Sequence, residues 1–444
     1  MLFYLSLTIL IICFLKTLSK SLKLGYSISI QYILPLCFIL FIFVNPLILD
    51  STLIYNEKFN LILLTGVLGL VITTLIIPYD FIDVNKSWNK PILPKFEIKK
   101  KWLNCGASIY FCYLLFQMIS KVISVGSFSA VFNINRFDQG LGDDYLSGNS
   151  VLMLMLFFRI FYYIKLYSYF NNKKYFKFGF LFLVPMLHQL MTALTRFDFV
   201  VMFLALLFLI IDEKISIREF IIDSKISVRI RKKIPKIKLL IIILPFFVLL
   251  FIYMQVANNM RSGNLESTEL SSIKTTDKIK IAVALDLNYY NFIYKIYEEK
   301  QKNNISYEFG LAWFYYPILN FIPRTFWTHK PMTSSSPRYT ELLYYKLGSG
   351  EPVVTFTILG EGYMQFGPFG VFLAPFIFVY FRYLSVSVLK KIKGVKILVL
   401  LILFSLITYF RGEQPIFYVI LDIIYASIIM KFMSHKITLN TINK

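Results

Sequence analysis

Apolar runs of about 15 to 22 residues with almost no charge recur along this chain, and no other feature constrains its fold as strongly. Each is long enough to cross a hydrocarbon core of roughly 30 Å as a helix. A soluble domain does not repeat such runs. In lipid, only helices and closed barrels satisfy their own backbone groups, and continuous apolar runs exclude the alternating pattern of a barrel strand. The expected fold class is therefore an all-α polytopic membrane protein. The composition agrees, with 57% hydrophobic residues and a mean hydropathy of +0.64.

About eleven spans are expected, over residues 2–18, 28–49, 59–78, 103–124, 150–170, 178–194, 197–211, 239–257, 367–384, 397–410 and 414–431. The loops between them alternate. Segments 16–23, 86–101, 173–177, 212–238 and 390–396 are basic, as is the end of the chain with Lys431, Lys436 and Lys444. The intervening loops, 50–58, 126–149, 195–196, 258–366 and 411–413, are neutral, mixed or acidic. Positive-inside bias then puts the N-terminus outside and the C-terminus in the cytoplasm. The net charge of +22 sits mostly in these short loops, so nucleic-acid binding is not expected. Residues 1–15 have no basic n-region and no small-residue cleavage site, and read as a first span rather than a signal peptide.

This topology divides the chain into spans one to eight (1–257), an extracytoplasmic loop (258–366), and spans nine to eleven with a cytoplasmic tail (367–444). Within the loop, Ala282, Leu285, Tyr289, Phe292 and Ile296 recur at three and four, the spacing of an amphipathic helix on the membrane or against the bundle. Residues 307–322 are rich in aromatics, which suit a membrane interface or stacking on sugars. The four cysteines, Cys13, Cys37, Cys105 and Cys112, all fall in spans and read as packing residues. Cys105 and Cys112 are about 10 Å apart along one helix, too far to bridge.

Lysine dominates the inner loops, and arginine recurs outside, at Arg136, Arg196, Arg261, Arg324, Arg338 and Arg411. Arginine's planar fork suits phosphate oxygens better than lysine's point charge. These positions are consistent with one anion-binding surface, or singly with loop charges and snorkelling anchors. Two segments stand out. Residues 323–331 read PRTFWTHKP, two prolines around Arg324, Trp327, His329 and Lys330 on an expected rigid turn. Residues 360–370 read GEGYMQFGPFG, with Glu361 expected at the mouth of the bundle and glycines that permit sharp turns or close backbone approach.

These segments resemble the bacterial O-antigen and capsule polymerases of the Wzy type, the oligosaccharide repeat-unit polymerases. The resemblance rests on Pro323, Arg324, Trp327, Lys330 and Pro331, and on Gly360, Glu361, Tyr363, Phe366, Gly367 and Gly370. A Thr195–Arg196 turn and a large external loop before the last three spans add to it. Motifs cover roughly residues 180–375, and the topology covers the whole chain. His329 stands where relatives vary, and relatives often have one or more spans beyond eleven.

The resemblance implies a substrate, oligosaccharide repeat units on undecaprenyl pyrophosphate at the outer face of the bacterial inner membrane. It implies a reaction, transfer of the growing chain to the next lipid-linked unit, and a fold similar to the GT-C-type lipid-dependent glycosyltransferases. A chain-length regulator protein is a candidate partner. For the chemistry, Arg196, Arg324 and Arg411 are the first candidates to meet the pyrophosphate, with Arg338 and Arg136 behind them. Lys330, Trp327 and Tyr363 are expected at the substrate. Candidate bases are Glu361, His329 and Asp198. Glu361 reads equally as an ion pair holding the loop, His329 as a surface residue, and Asp198 as a partner of Arg196. His188 in the sixth span is expected to make a helix–helix hydrogen bond. No metal or nucleotide motif occurs, so neither cofactor is expected; Asp143 and Asp144 read as solvated loop residues or a weak cation site. An O-antigen ligase and a lipid-linked oligosaccharide flippase or other transporter are the alternatives.

Overall fold

The computed structural model describes residues 1–23, 30–48, 52–76, 96–126, 150–191, 289–319, 335–343, 357–409 and 415–436, with single positions at 201, 202, 205, 209, 321, 322, 327, 330 and 331. The described chain is mostly helical. α1 is Leu2–Lys23. α2 runs from Ile30–Phe38 through a π-helical turn, Ile39–Phe43, into Val44–Ile48. α3 is Glu57–Ile76, α4 Lys100–Val125, α5 Ser150–Asn171 and α6 Tyr175–Met191. Of the expected spans, 197–211 is described only at four positions and 239–257 lies outside the described residues.

The expected external loop contributes three described helices: α7 (Tyr289–Gln301), α8 (Leu311–Tyr315 continuing as Tyr316–Leu319) and α9 (Ser335–Leu343). α10 (Ile358–Leu389), α11 (Lys396–Tyr409) and α12 (Pro415–Ile428, extended by Ile429–Met433) follow. Among the described residues, four helices are long and apolar enough to cross a membrane: Leu2–Ser21, Glu57–Ile76, Lys100–Ser124 and Ile358–Leu389. Two short strands, β1 (Phe96–Ile98) and β2 (Ser434–Lys436), pair antiparallel and are the only departure from helix among the described elements.

Contacts gather some of the described connecting segments at two places in the bundle. At one, the N-terminal ammonium pairs with Glu57 at 2.7 Å, and Asn56 reaches the Tyr294 hydroxyl of α7. At the other, β1 meets β2, and Lys393 donates its backbone N–H to Phe96 and pairs with Glu97 at 3.1 Å. Gly394 lies against Ile164 near the end of α5 at this same place.

α7 packs against the bundle through Tyr289, Tyr290, Ile293, Ile296 and Tyr297, one face at helical spacing. The Tyr290 hydroxyl donates to buried Asn60 at 3.0 Å, and its ring meets Phe3 and Phe59 edge-on. Residues 278–288 of the expected amphipathic helix lie outside the described residues. Cys13 and Cys37 are buried as expected, but Cys105 and Cys112 are exposed, because α4 turns that face away from its neighbours. Their reading as packing residues is corrected accordingly.

Candidate functional site

The site is built on a break inside α10. Thr357 caps the helix by accepting the Gly360 N–H at 3.3 Å, and Glu361 follows in the first turn, where a carboxylate complements the helix dipole. The helix stops at Phe366 (φ −140°, ψ 22°) and Gly367 (φ 62°, ψ −144°), a combination open in practice only to glycine at the second position. Pro368 then opens the second arm, where its missing N–H costs nothing. The final carbonyls of the first arm, on Met364 and Gln365, accept the N–H groups of Glu308 and Phe309 at 2.9 and 3.0 Å.

The break reverses the chain sharply. In a straight helix Gly362 and Gly370 would be about 12 Å apart. Here a Cβ on Gly362 would lie 2.5 Å from the Gly370 carbonyl oxygen and 3.0 Å from Ala374. Both arms rest on α3, where a Cβ on Gly66 would meet Val371 of one arm at 2.9 Å and Leu359 of the other at 3.1 Å. Thr65 of α3 reaches the Pro368 carbonyl at 3.4 Å. Gly66 lies nine residues into α3, about 13 Å along its axis. The GEGYMQFGPFG segment is thus a helical hairpin tucked into the bundle. Glu361 is not at the mouth but on the inner arm, 1% exposed.

Around this hairpin sits a cluster of polar groups. Oε2 of Glu308 accepts from Gln365 Nε2 at 2.6 Å, Arg338 Nη2 at 2.7 Å and the Tyr339 hydroxyl at 2.9 Å. Gln365 Nε2 also donates to the Tyr339 oxygen at 3.0 Å, and Gln365 Oε1 accepts the Ala312 N–H at 3.2 Å. The Arg338 guanidinium lies 4.3 Å from the Tyr316 ring centre and 4.9 Å from that of Tyr339. Its Nε and Nη1 are buried and make no hydrogen bond among the described residues. Burial, then the negative charge of Glu308, pushes the Tyr339 phenol well above its usual range, and the Glu361 carboxylate adds to that push. Tyr339 therefore stays a protonated donor at any working pH.

Of the residues expected from sequence, Arg338 and Glu361 come together around Tyr339. Tyr363 is buried between the rings of Tyr297 and Tyr307, at 6.2 and 6.1 Å. Lys330 is 3% exposed and donates from Nζ to the Ile322 carbonyl at 3.0 Å, while its N–H closes a turn onto the Trp327 carbonyl at 3.1 Å. Arg136, Arg196, Asp198, Arg324, His329 and Arg411 lie outside the described residues, as do Asp143 and Asp144. Sequence reasoning missed Glu308, Tyr339 and Gln365. A lone carboxylate within an uninterrupted aromatic stretch was the available signal for Glu308, and Gln365 lies inside the segment already singled out.

Two other polar contacts join the helices. His188 Nε2 and Gln117 Oε1 are 2.6 Å apart, bridging α6 to α4 as the sequence suggests. Arg382 and Ser385 of α10 meet Asp422 of α12 at 3.5 and 3.0 Å, all three nearly fully buried. Arg382 is fifteen residues beyond the break, about 22 Å along the arm, so this pair is separate from the Glu308 cluster. Among the described residues, no three His, Cys, Asp or Glu side chains gather as metal ligands would. No protein-family model, curated protein or solved structure matches the chain.

Proposed function

We propose that this chain polymerises oligosaccharide repeat units carried on undecaprenyl pyrophosphate, at the outer face of a bacterial inner membrane. The observation that carries the reading is the Arg338 clamp. A guanidinium is held by Glu308 and Tyr316, yet two of its nitrogens meet no acceptor among the described residues. Such a group suits an anionic phosphate and acts without a metal by meeting charge as it develops. Glu308 and Arg338 belong to the expected loop 258–366, which the charge alternation of the sequence puts outside.

In this reaction the bond from the anomeric carbon to the pyrophosphate oxygen breaks, and its electron pair leaves with the pyrophosphate. A sugar hydroxyl of the next lipid-linked unit forms the new glycosidic bond and gives up its proton. Arg338, with Arg324, Arg196 and Arg411 from the sequence motifs, is assigned to the departing pyrophosphate. Glu361 is assigned the hydroxyl proton, with His329 and Asp198 as the other candidate bases. Lys330 is assigned to holding the end of α8 through its hydrogen bond to the Ile322 carbonyl.

The test is glycan length on gels, in a host lacking the chain and then complemented. Deletion should leave single repeat units, wild type should restore the ladder, and Arg338→Ala or Glu361→Ala should be expressed without restoring it. Loss of even the single-unit product on deletion would favour the ligase or flippase. Unchanged glycan throughout would overturn an enzymatic role.

A further inference from the structure

Within a loop otherwise punctuated by charge, residues 309–323 (FGLAWFYYPILNFIP) carry no charged side chain. α8 forms from this stretch and shows two unlike faces. Ala312, Trp313, Pro317 and Leu319 are buried. Leu311, Phe314, Tyr315, Ile318, Phe321 and Ile322 are exposed, Phe314 by 52% and Ile318 by 59%. These recur at three and four, so the outward stripe is apolar along its whole length.

The buried face shows where this stripe lies. The Trp313 ring packs on Phe366 at the break of α10 (5.7 Å) and on Phe378, twelve residues further along the chain in the second arm (6.5 Å). Gly310 is tight against Phe366, and Tyr316–Leu319 packs against α12. α8 therefore lies flush along the flank of a helix long and apolar enough to span a membrane, rather than above it. On that helix Phe369, three residues past Phe366, is 62% exposed, so the stripe continues the apolar outer surface of the span. An apolar patch of this extent facing water would be a costly exception on a soluble loop.

Where α8 ends, its carbonyls are provided for. Ile322 N–H bonds back to Leu319, and the Ile322 carbonyl accepts from the buried Lys330 ammonium. A backbone end inside or beside hydrocarbon needs such a donor, because water is not there to supply one.

We infer that residues 309–322 are a lipid-embedded segment of the expected external loop, with the Leu311-to-Ile322 stripe in contact with bilayer acyl chains. The occupant is lipid hydrocarbon because the stripe has no charge and is continuous with the outer surface of α10. In-plane amphipathic helices sink about 5–10 Å into the boundary between headgroups and chains. Tyr316, on the same helix, stacks on Arg338, so this immersion would hold the arginine at headgroup level.

The test uses wild-type protein in nanodiscs containing phosphatidylglycerol with a diazirine in its acyl chain. After photolysis, adducts are mapped by mass spectrometry, alongside hydroxyl-radical footprinting from the aqueous phase. The expected result is lipid adducts on 311–322 as dense as on the exposed face of α3 (Leu61, Leu68), with none on 295–304, and Phe314 protected from aqueous oxidation. Adducts on the spans with none on 311–322, or oxidation of Phe314 and Ile318 from water, would overturn the inference. A stripe covered by another protein chain would also give no adducts and would overturn it. The readout does not depend on any glycosyl transfer, so it stands or falls apart from the proposed function.

Discussion

Gly362 and Gly370 face each other across the α10 hairpin in backbone contact, each occupying the space that a Cβ on the other would need. This contact lets the arm bearing Glu361 and Gln365 fold back along the second arm and meet Glu308.

Gly370→Ala is accordingly expected to be destabilising, by about 1–3 kcal/mol or more, since the obstacle is backbone and cannot swing aside. Gly179→Ala is the control, because nothing lies within 4 Å of a Cβ there. Thermal unfolding of the detergent-solubilised protein, followed by light scattering, checks this. Equal melting of the two variants would remove the hairpin as a tightly packed element.

Glu308→Gln removes the ionic partner of Arg338 while keeping a similar shape. A loss of about 1–3 kcal/mol is expected, the range for a part-buried charge-assisted hydrogen bond. Because Glu308 and Arg338 contact each other directly, Glu308→Gln combined with Arg338→Met should cost less than the sum of the two. Additive losses would mean that the 2.7 Å pair carries no energy of its own.

Arg382→Leu or Asp422→Leu should each destabilise by roughly 3–5 kcal/mol, because each removes one side of a buried ion pair. The double variant should recover part of that loss, since of the charges acting at this site only Arg159 then stays behind. Melting temperatures of the three variants decide it. A double variant worse than either single one would show that the pair is needed for more than mutual neutralisation.

Glu299 gives a pH dependence. Its hydrogen bond from Lys295, then that from Asn304, holds its carboxyl down at about 2, well below the unfolded value of about 4.3. A depressed carboxylate stabilises above its unfolded pKa and loses that contribution as pH falls through the folded one. Hydrogen-exchange protection at the end of α7 should be level above about pH 4.5 and fall toward pH 2, after correction for intrinsic rates. In Glu299→Gln that acid-side loss should vanish. A wild-type profile that stays flat down to pH 2 would contradict the assignment.

The described helices of the bundle were legible because a long apolar run with almost no charge has few ways to satisfy its backbone in lipid. The Gly367–Pro368 junction was legible too, as the start of a helix. The arm before it was not. Glycines at 360 and 362 lower helix propensity, so local rules read the stretch as loop, whereas packing against Gly66 and Gly370 makes glycine the residue that fits.

Glu361 and Arg338 could be picked out as charges in an unusual setting, but their surroundings could not. Glu308, Arg338 and Gln365 are 30 and 57 residues from one another along the chain, counted from Glu308, and no spacing rule links them. The sequence by itself determined that this is a helical, membrane-suited chain with two chemically unlike ends. Only the tertiary structure decided that a broken helix turns inward, that Glu308 is the acceptor three donors share, and that an apolar stripe of the loop lies along a span. The physical reason is range: hydrophobic periodicity and charge bias act within a few turns, while a hairpin contact or an ion pair depends on which distant surfaces the fold presses together.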